Sequence, residues 1–175
     1  MSVDFNELIP SIPDYPQPGV VFRDITPLFA DAEGLQEAVK TIADQWRDAG
    51  ITKVVGPEAR GFMIGVPVAI ELGAGFVAAR KPGKLPRKTI SATYELEYGT
   101  DTIEINADAL NADDKVLLVD DLIATGGTLQ ACTNLVKQEG AHLAGYACIL
   151  ELAFLNPRKT LCADGEKLTN LVSAS

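Results

Sequence analysis

Apolar and polar positions along this chain switch between a helical period and short unbroken apolar runs. Leu35, Val39, Ile42 and Trp46 recur at helical spacing, with Asp31 upstream as a capping residue and Gly50 closing the segment. Residues 51–55 predict a short strand that ends at Gly56-Pro57. Residues 61–72 are apolar almost all round, which predicts a buried helix with Pro67 at its start or at a kink. Further strand patterns occupy residues 76–79, residues 102–106, where Ile103 and Ile105 share a face, and residues 116–119. A helix over about 128–139 and a strand over 143–150 complete the series. Strands alternating with helices predict βαβ units, hence an α/β fold with a mainly parallel central sheet flanked by helices. No repeat or low-complexity linker divides residues 1–175, so a single domain is expected.

Two regions break the rhythm. Residues 1–30 carry Pro10, Pro13, Pro16, Pro18 and Pro27, which predicts an irregular cap wrapped on the core. Residues 81–101 hold Pro82, Gly83, Pro86 and Gly99 among mostly polar neighbours. A connection of that length inside a compact domain is usually a lid or binding loop.

Composition narrows the function classes. Hydrophobic residues at 47% and charged residues at 22% suit a globular protein large enough to bury a core. No apolar run is long enough for a membrane helix, and MSVDFNELIP lacks the basic and apolar regions of a secretory signal. Cys132, Cys148 and Cys162 are odd in number and widely spaced, so reduced thiols in a cytoplasmic protein are expected. The net charge of −9 argues against a general nucleic-acid binder. His142, the only histidine, lies just after a predicted helix end and reads as solvated or capping, which disfavours a His-based triad or multi-His metal site.

The chemistry concentrates in one stretch, V-L-L-V-D-D-L-I-A-T-G-G-T, from Val116 to Thr128. In an open parallel sheet, ligands bind beyond the carboxyl ends of strands, and the predicted strand would deliver Asp120 and Asp121 to that edge. Ala124, Thr125, Gly126, Gly127 and Thr128 then let backbone N–H groups approach an anion where a helix begins. The stretch is neither a Walker A loop nor a dinucleotide fingerprint. An acidic strand end followed by a plain helix-initiating turn is the alternative reading. Upstream, residues 80–88 carry five cations (Arg80, Lys81, Lys84, Arg87, Lys88) in an otherwise acidic chain. Such a cluster suits a phosphorylated substrate, or is simply a solvated basic loop.

That stretch resembles the phosphoribosyl-pyrophosphate motif of the type I phosphoribosyltransferases. Four further segments resemble the adenine-specific branch of that family, in family order: P-G-V-V-F-R-D-I-T-P from Pro18, G-P-E-A-R-G-F from Gly56, R-K-P-G-K-L-P from Arg80, and Y-E-L-E-Y-G from Tyr94. The resemblance spans about residues 16–152 and implies a Rossmann-like domain with an N-terminal hood at about 1–30 and a catalytic lid at about 81–101. It implies condensation of adenine with 5-phosphoribosyl 1-pyrophosphate to AMP and pyrophosphate, with Mg²⁺ carried in on the substrate. By the same resemblance, residues 124–128 hold the 5′-phosphate and Asp120 and Asp121 lie along the ribose hydroxyls. Arg60, Arg80, Lys81 and Lys84 attend the pyrophosphate. Glu97 manages the proton lost by adenine, and Tyr98 helps close the site. Val21 and Arg23 meet the base through their main chain, with Phe22 and Leu152 on its faces, although both could equally be core residues. A homodimer is also implied. Two alternatives remain: a sibling transferase for xanthine, hypoxanthine or a pyrimidine, and a non-catalytic phosphoribosyl-pyrophosphate sensor.

Overall fold

The computed structural model describes residues 2–96 and 98–175. A short antiparallel pair, β1 (Ser11–Pro13) and β2 (Val21–Arg23), opens the chain, so the proline-rich segment is partly ordered into a hairpin. Helix α1 (Thr26–Ala30) leads into α2 (Ala32–Asp44). Asp31 caps α2 as its spacing predicts, its carboxylate accepting the Gly34 N–H at 2.7 Å.

Next come β3 (Lys53–Pro57), α3 (Arg60–Leu72) and β4 (Gly75–Ala79). Pro67 lies inside α3, where its missing N–H removes one helix bond. Only one face of α3 is buried, through Gly61, Ile64, Gly65, Val68 and Ala69. Met63, Val66 and Ile70 are exposed, Ile70 at 75%. The expectation of a helix buried all round is therefore corrected: apolar composition cannot say which face has a neighbour.

The expected loop at residues 81–101 is also not irregular throughout. β5 (Thr89–Glu95) pairs antiparallel with β6 (Thr100–Asn106), and this two-stranded arm forms its own ladder, joined to the main sheet only by a bridge between Arg80 and Glu104 among the described residues. Ile103 and Ile105 are buried from it, as their alternation predicts.

The chain continues through β7 (Lys115–Ile123), α4 (Gly127–Gln138), β8 (His142–Leu152), α5 (Pro157–Leu161), β9 (Lys167–Thr169) and β10 (Val172–Ala174). The main sheet runs β10-β8-β7-β3-β4, all parallel, with β9 and β10 following one another along β8. Two apolar clusters cover its faces, one under α4 and the β5–β6 arm, the other under α2 and α3. His142 is exposed at the start of β8, its N–H donating to the Asp114 carbonyl. No described helix is long and apolar enough to cross a membrane.

Candidate active site

β7 runs longer than its apolar core, through the two aspartates to Ile123. Pairing with β3 stops at Leu118, whereas pairing with β8 continues to Ile123. Asp120 and Asp121 are thus inside the strand rather than beyond it, yet past the end of the β3 ladder. That half-open position leaves room beside them for a ligand.

The room is a cavity of about 390 Å³ lined by Glu58, Arg60, Lys81, Tyr94, both aspartates and the whole turn from Ala124 to Thr128. Gly126 adopts φ +93° and caps α4, so the start of that helix, where the first amides lack intrahelical partners, forms part of the cavity wall. Gly61 permits a second close approach: a Cβ there would lie 3.0 Å from Asp120 Oδ1 and 2.9 Å from Pro57. Only glycine lets the first turn of α3 sit so near the acidic pair.

The electrostatics are held in balance. Asp121 is 3% exposed and its Oδ2 lies 3.0 Å from Arg60 Nε, but the alignment makes no hydrogen bond and leaves that oxygen a free acceptor. The Asp121 N–H donates to Asp120 Oδ1 at 2.8 Å. Burial, and then the neighbouring Asp121 charge, push the Asp120 carboxyl well above its ordinary range. The pair therefore favours a ligand that donates hydroxyls or carries positive charge at this spot.

The basic residues are distributed differently from their sequence grouping. Arg60 and Lys81 line the cavity, whereas Arg80 and Lys84 do not. Glu58, to which the sequence motifs attach no role, gathers the other cations. Lys84 Nζ lies 2.6 Å from Glu58 Oε2, Arg80 Nε lies 3.4 Å from Oε1, and the Lys81 N–H donates to Oε1 at 2.6 Å. Burial alone would raise the Glu58 carboxyl, but these partners outweigh it and hold the carboxyl below its ordinary value. Lys81 Nζ pairs with Asp101 and donates to the Tyr94 hydroxyl at 3.1 Å. Tyr94 also escaped sequence reasoning; it reaches the cavity because the end of β5 lies beside Gly127.

Glu97 lies outside the described residues. Tyr98 is 88% exposed and is not among the residues that line this cavity. A second cavity of about 680 Å³ opens farther along the same carboxyl edge, beyond β8 and β10. Val21, Arg23 and Leu152 line it, joined by Phe154, Ser173 and Ala174. Phe22 does not: strand alternation turns it away from its neighbours, edge-on to Tyr15 with ring centroids 5.2 Å apart. The wall formed by β10 carries no sequence signal, because three residues are too few to show a period.

The chain matches a known family. The phosphoribosyl transferase domain model matches residues 29–162. An adenine phosphoribosyltransferase of Shewanella amazonensis is 52% identical over 163 residues, covering 93% of this chain and 90% of that protein. The crystal structure of adenine phosphoribosyltransferase from Thermoanaerobacter pseudethanolicus superposes with a TM-score of 0.89 at 43% identity, covering 95% of this chain and 96% of that one. The Giardia lamblia enzyme complexed with 9-deazaadenine gives 0.89 at 36% identity, covering 97% and 95%. A strand-borne acidic pair, a glycine turn at a helix start and this breadth of similarity place the chain in the adenine phosphoribosyltransferase family of the phosphoribosyl transferases.

Proposed function

We propose that this protein is a purine-salvage glycosyltransferase that condenses adenine with 5-phosphoribosyl 1-pyrophosphate, releasing AMP and pyrophosphate. The observation that carries the reading is the first cavity, where carboxylate acceptors and helix-start amides adjoin. A sugar phosphate needs both: acceptors for its hydroxyls and N–H donors for its 5′-phosphate.

In the reaction, adenine N9 forms a bond to carbon 1 of the ribose as the bond from that carbon to pyrophosphate oxygen breaks. Positive charge develops on the sugar, as in other glycosyl transfers, and Asp120 and Asp121 stabilise it while orienting the ring. Amides of residues 124–128 hold the 5′-phosphate. Arg60 and Lys81 meet the departing pyrophosphate, and Arg80 and Lys84 join them by exchanging Glu58 for phosphate oxygens. Family members generally use Mg²⁺, which travels as part of the pyrophosphate substrate. Adenine occupies the second cavity, against Val21, Arg23 and Leu152. Phe22 reaches it only by turning from Tyr15.

Incubation with labelled adenine, phosphoribosyl pyrophosphate and Mg²⁺ is expected to yield labelled AMP. Turnover of hypoxanthine, xanthine or a pyrimidine in place of adenine would overturn the substrate assignment. Glu97 receives the N9 proton and, with Tyr98, belongs to a lid at about residues 81–101 over a single domain with a hood at 1–30. Glu97→Gln is therefore expected to lower turnover about 10²-fold or more while sparing phosphoribosyl pyrophosphate binding. Wild-type turnover in that variant removes Glu97 from the mechanism.

A homodimer also belongs to this reading, supported by the exposed Met63, Val66 and Ile70 stripe on α3. Sedimentation at twice the 18.6 kDa chain mass is expected, and a monomer at micromolar concentration excludes it. Cys132 and Cys148 are buried free thiols, in keeping with the reducing cytoplasm where salvage operates.

A further inference from the structure

The segment after β8 packs against the proposed phosphate site without lining it. Gly126 turns its Cα toward α5: a Cβ there would meet Leu161 Cγ at 3.0 Å and Cδ1 at 3.2 Å. The turn's backbone therefore rests directly on the Leu161 isobutyl group. Leu161 is 1% exposed and shares its cluster with Ile123 and Leu129, the residues that flank the turn on either side.

Five residues make too short a helix to persist by themselves, so α5 must be held by tertiary contacts. Its anchor is polar. Arg158 Nε and Nη2 donate to the two Glu151 carboxylate oxygens, each at 2.8 Å, in the fork geometry of the strong bidentate pair. Asn170 Nδ2 adds a third bond to Glu151 at 2.5 Å. Glu151 is 2% exposed and sits on β8 directly opposite Ile123, the last β7 residue before the turn. The anchor thus ties α5 to the same point on the sheet from which the turn departs.

We propose that Leu161, fastened by the Glu151–Arg158–Asn170 network, is a positioning residue for the phosphate turn. The proposal rests on the reading that residues 124–128 hold the 5′-phosphate. Anion binding by several amides depends on their common aim, since hydrogen bonds weaken steeply with angle. A turn that sinks into the space left by a smaller residue loses that aim. The base cavity, which Leu161 does not line, is left intact.

The test compares wild type with Leu161→Ala and Leu161→Met in two assays: calorimetric binding of ribose 5-phosphate, and steady-state kinetics with each substrate varied. Leu161→Ala is expected to weaken ribose 5-phosphate binding and raise KM for phosphoribosyl pyrophosphate about tenfold, with KM for adenine within about twofold of wild type. Should Leu161→Ala not fold, Leu161→Met keeps the volume but not the shape and carries the test, with the same selective change at about threefold. Arg158→Lys, which keeps the charge and loses the fork, is expected to shift the same constants in the same direction. Unchanged ribose 5-phosphate binding in the folded variants, with only a lower melting temperature, overturns the proposal. So does an equal rise in both KM values. The wild-type arms separate the two failures. Wild-type protein that binds ribose 5-phosphate but uses another base refutes only the adenine assignment; wild-type protein that does not bind it refutes the phosphate reading and this inference together.

Discussion

Replacing Asp120 and Asp121 together by Asn is expected to lower AMP synthesis roughly 1,000-fold while the protein still folds. Each carboxylate that hydrogen-bonds a ribose hydroxyl in a half-buried site contributes about 1.5–3 kcal/mol, and the loss is felt most where positive charge develops on the sugar. The single variant Asp120→Asn makes the sharper case, because activity and stability should move in opposite directions. Its folded-state carboxyl is raised above the unfolded value by burial and by Asp121. The sign follows: stability is fully present below the ordinary carboxylate range and is lost as pH rises through the raised folded value. Above that value the ionised pair is a standing cost, which Asn removes while its amide oxygen can still accept the Asp121 N–H. At neutral pH the variant is expected to gain roughly 1 kcal/mol, about 2–4 °C in Tm at this chain length, with the gain vanishing toward pH 4. Thermal melts across pH check this. An unfolded double variant, or a single variant less stable than wild type at neutral pH, would mark the pair as structural.

Arg60→Met is the second large effect, because on the proposed function one side chain would serve both Asp121 and the pyrophosphate. Its guanidinium is half exposed and faces a nearly buried Asp121 carboxylate. Breaking a buried pair costs about 3–5 kcal/mol, but solvent on the arginine side reduces this to about 1–2 kcal/mol. The larger consequence is for substrate. Losing a charge-assisted fork to pyrophosphate is expected to raise KM for phosphoribosyl pyrophosphate about 100-fold, with adenine unaffected. Arg60→Lys should recover only part, since an ammonium supplies charge without the planar fork. Initial-rate kinetics in both substrates decide the matter. A variant that melts earlier but keeps its KM would leave Arg60 as a partner of Asp121 alone.

Much of the architecture was legible along the chain because its signals are local. The Asp31 cap acts on an amide three residues away, and Val39 and Ile42 of the helical stripe lie within α2, although the helix ends at Asp44, before Trp46. The glycine turn before α4 was legible for the same reason: a positive φ and a helix start belong to adjacent residues. The β5–β6 arm was harder, since its strand Thr89–Glu95 is largely polar and half of it faces solvent. α5, β9 and β10 were invisible, each being too short to repeat a pattern.

By itself, then, the sequence determined the order of α2, β3, α3, β4, β6, β7, α4 and β8, the acidic pair, the turn and the stock of cations, all properties of neighbouring residues. The tertiary structure alone decided how these are used. Glu58 meets Lys84 across 26 positions, Glu151 meets Asn170 across 19, and Leu161 comes to rest beneath Gly126. It also decided that Arg60 and Lys81 face the first cavity while Arg80 and Lys84 lean on Glu58, and that Phe22 turns from the second. Periodicity reports which side of an element is apolar. Which partner meets that side depends on how elements far apart in the chain pack around the parallel sheet.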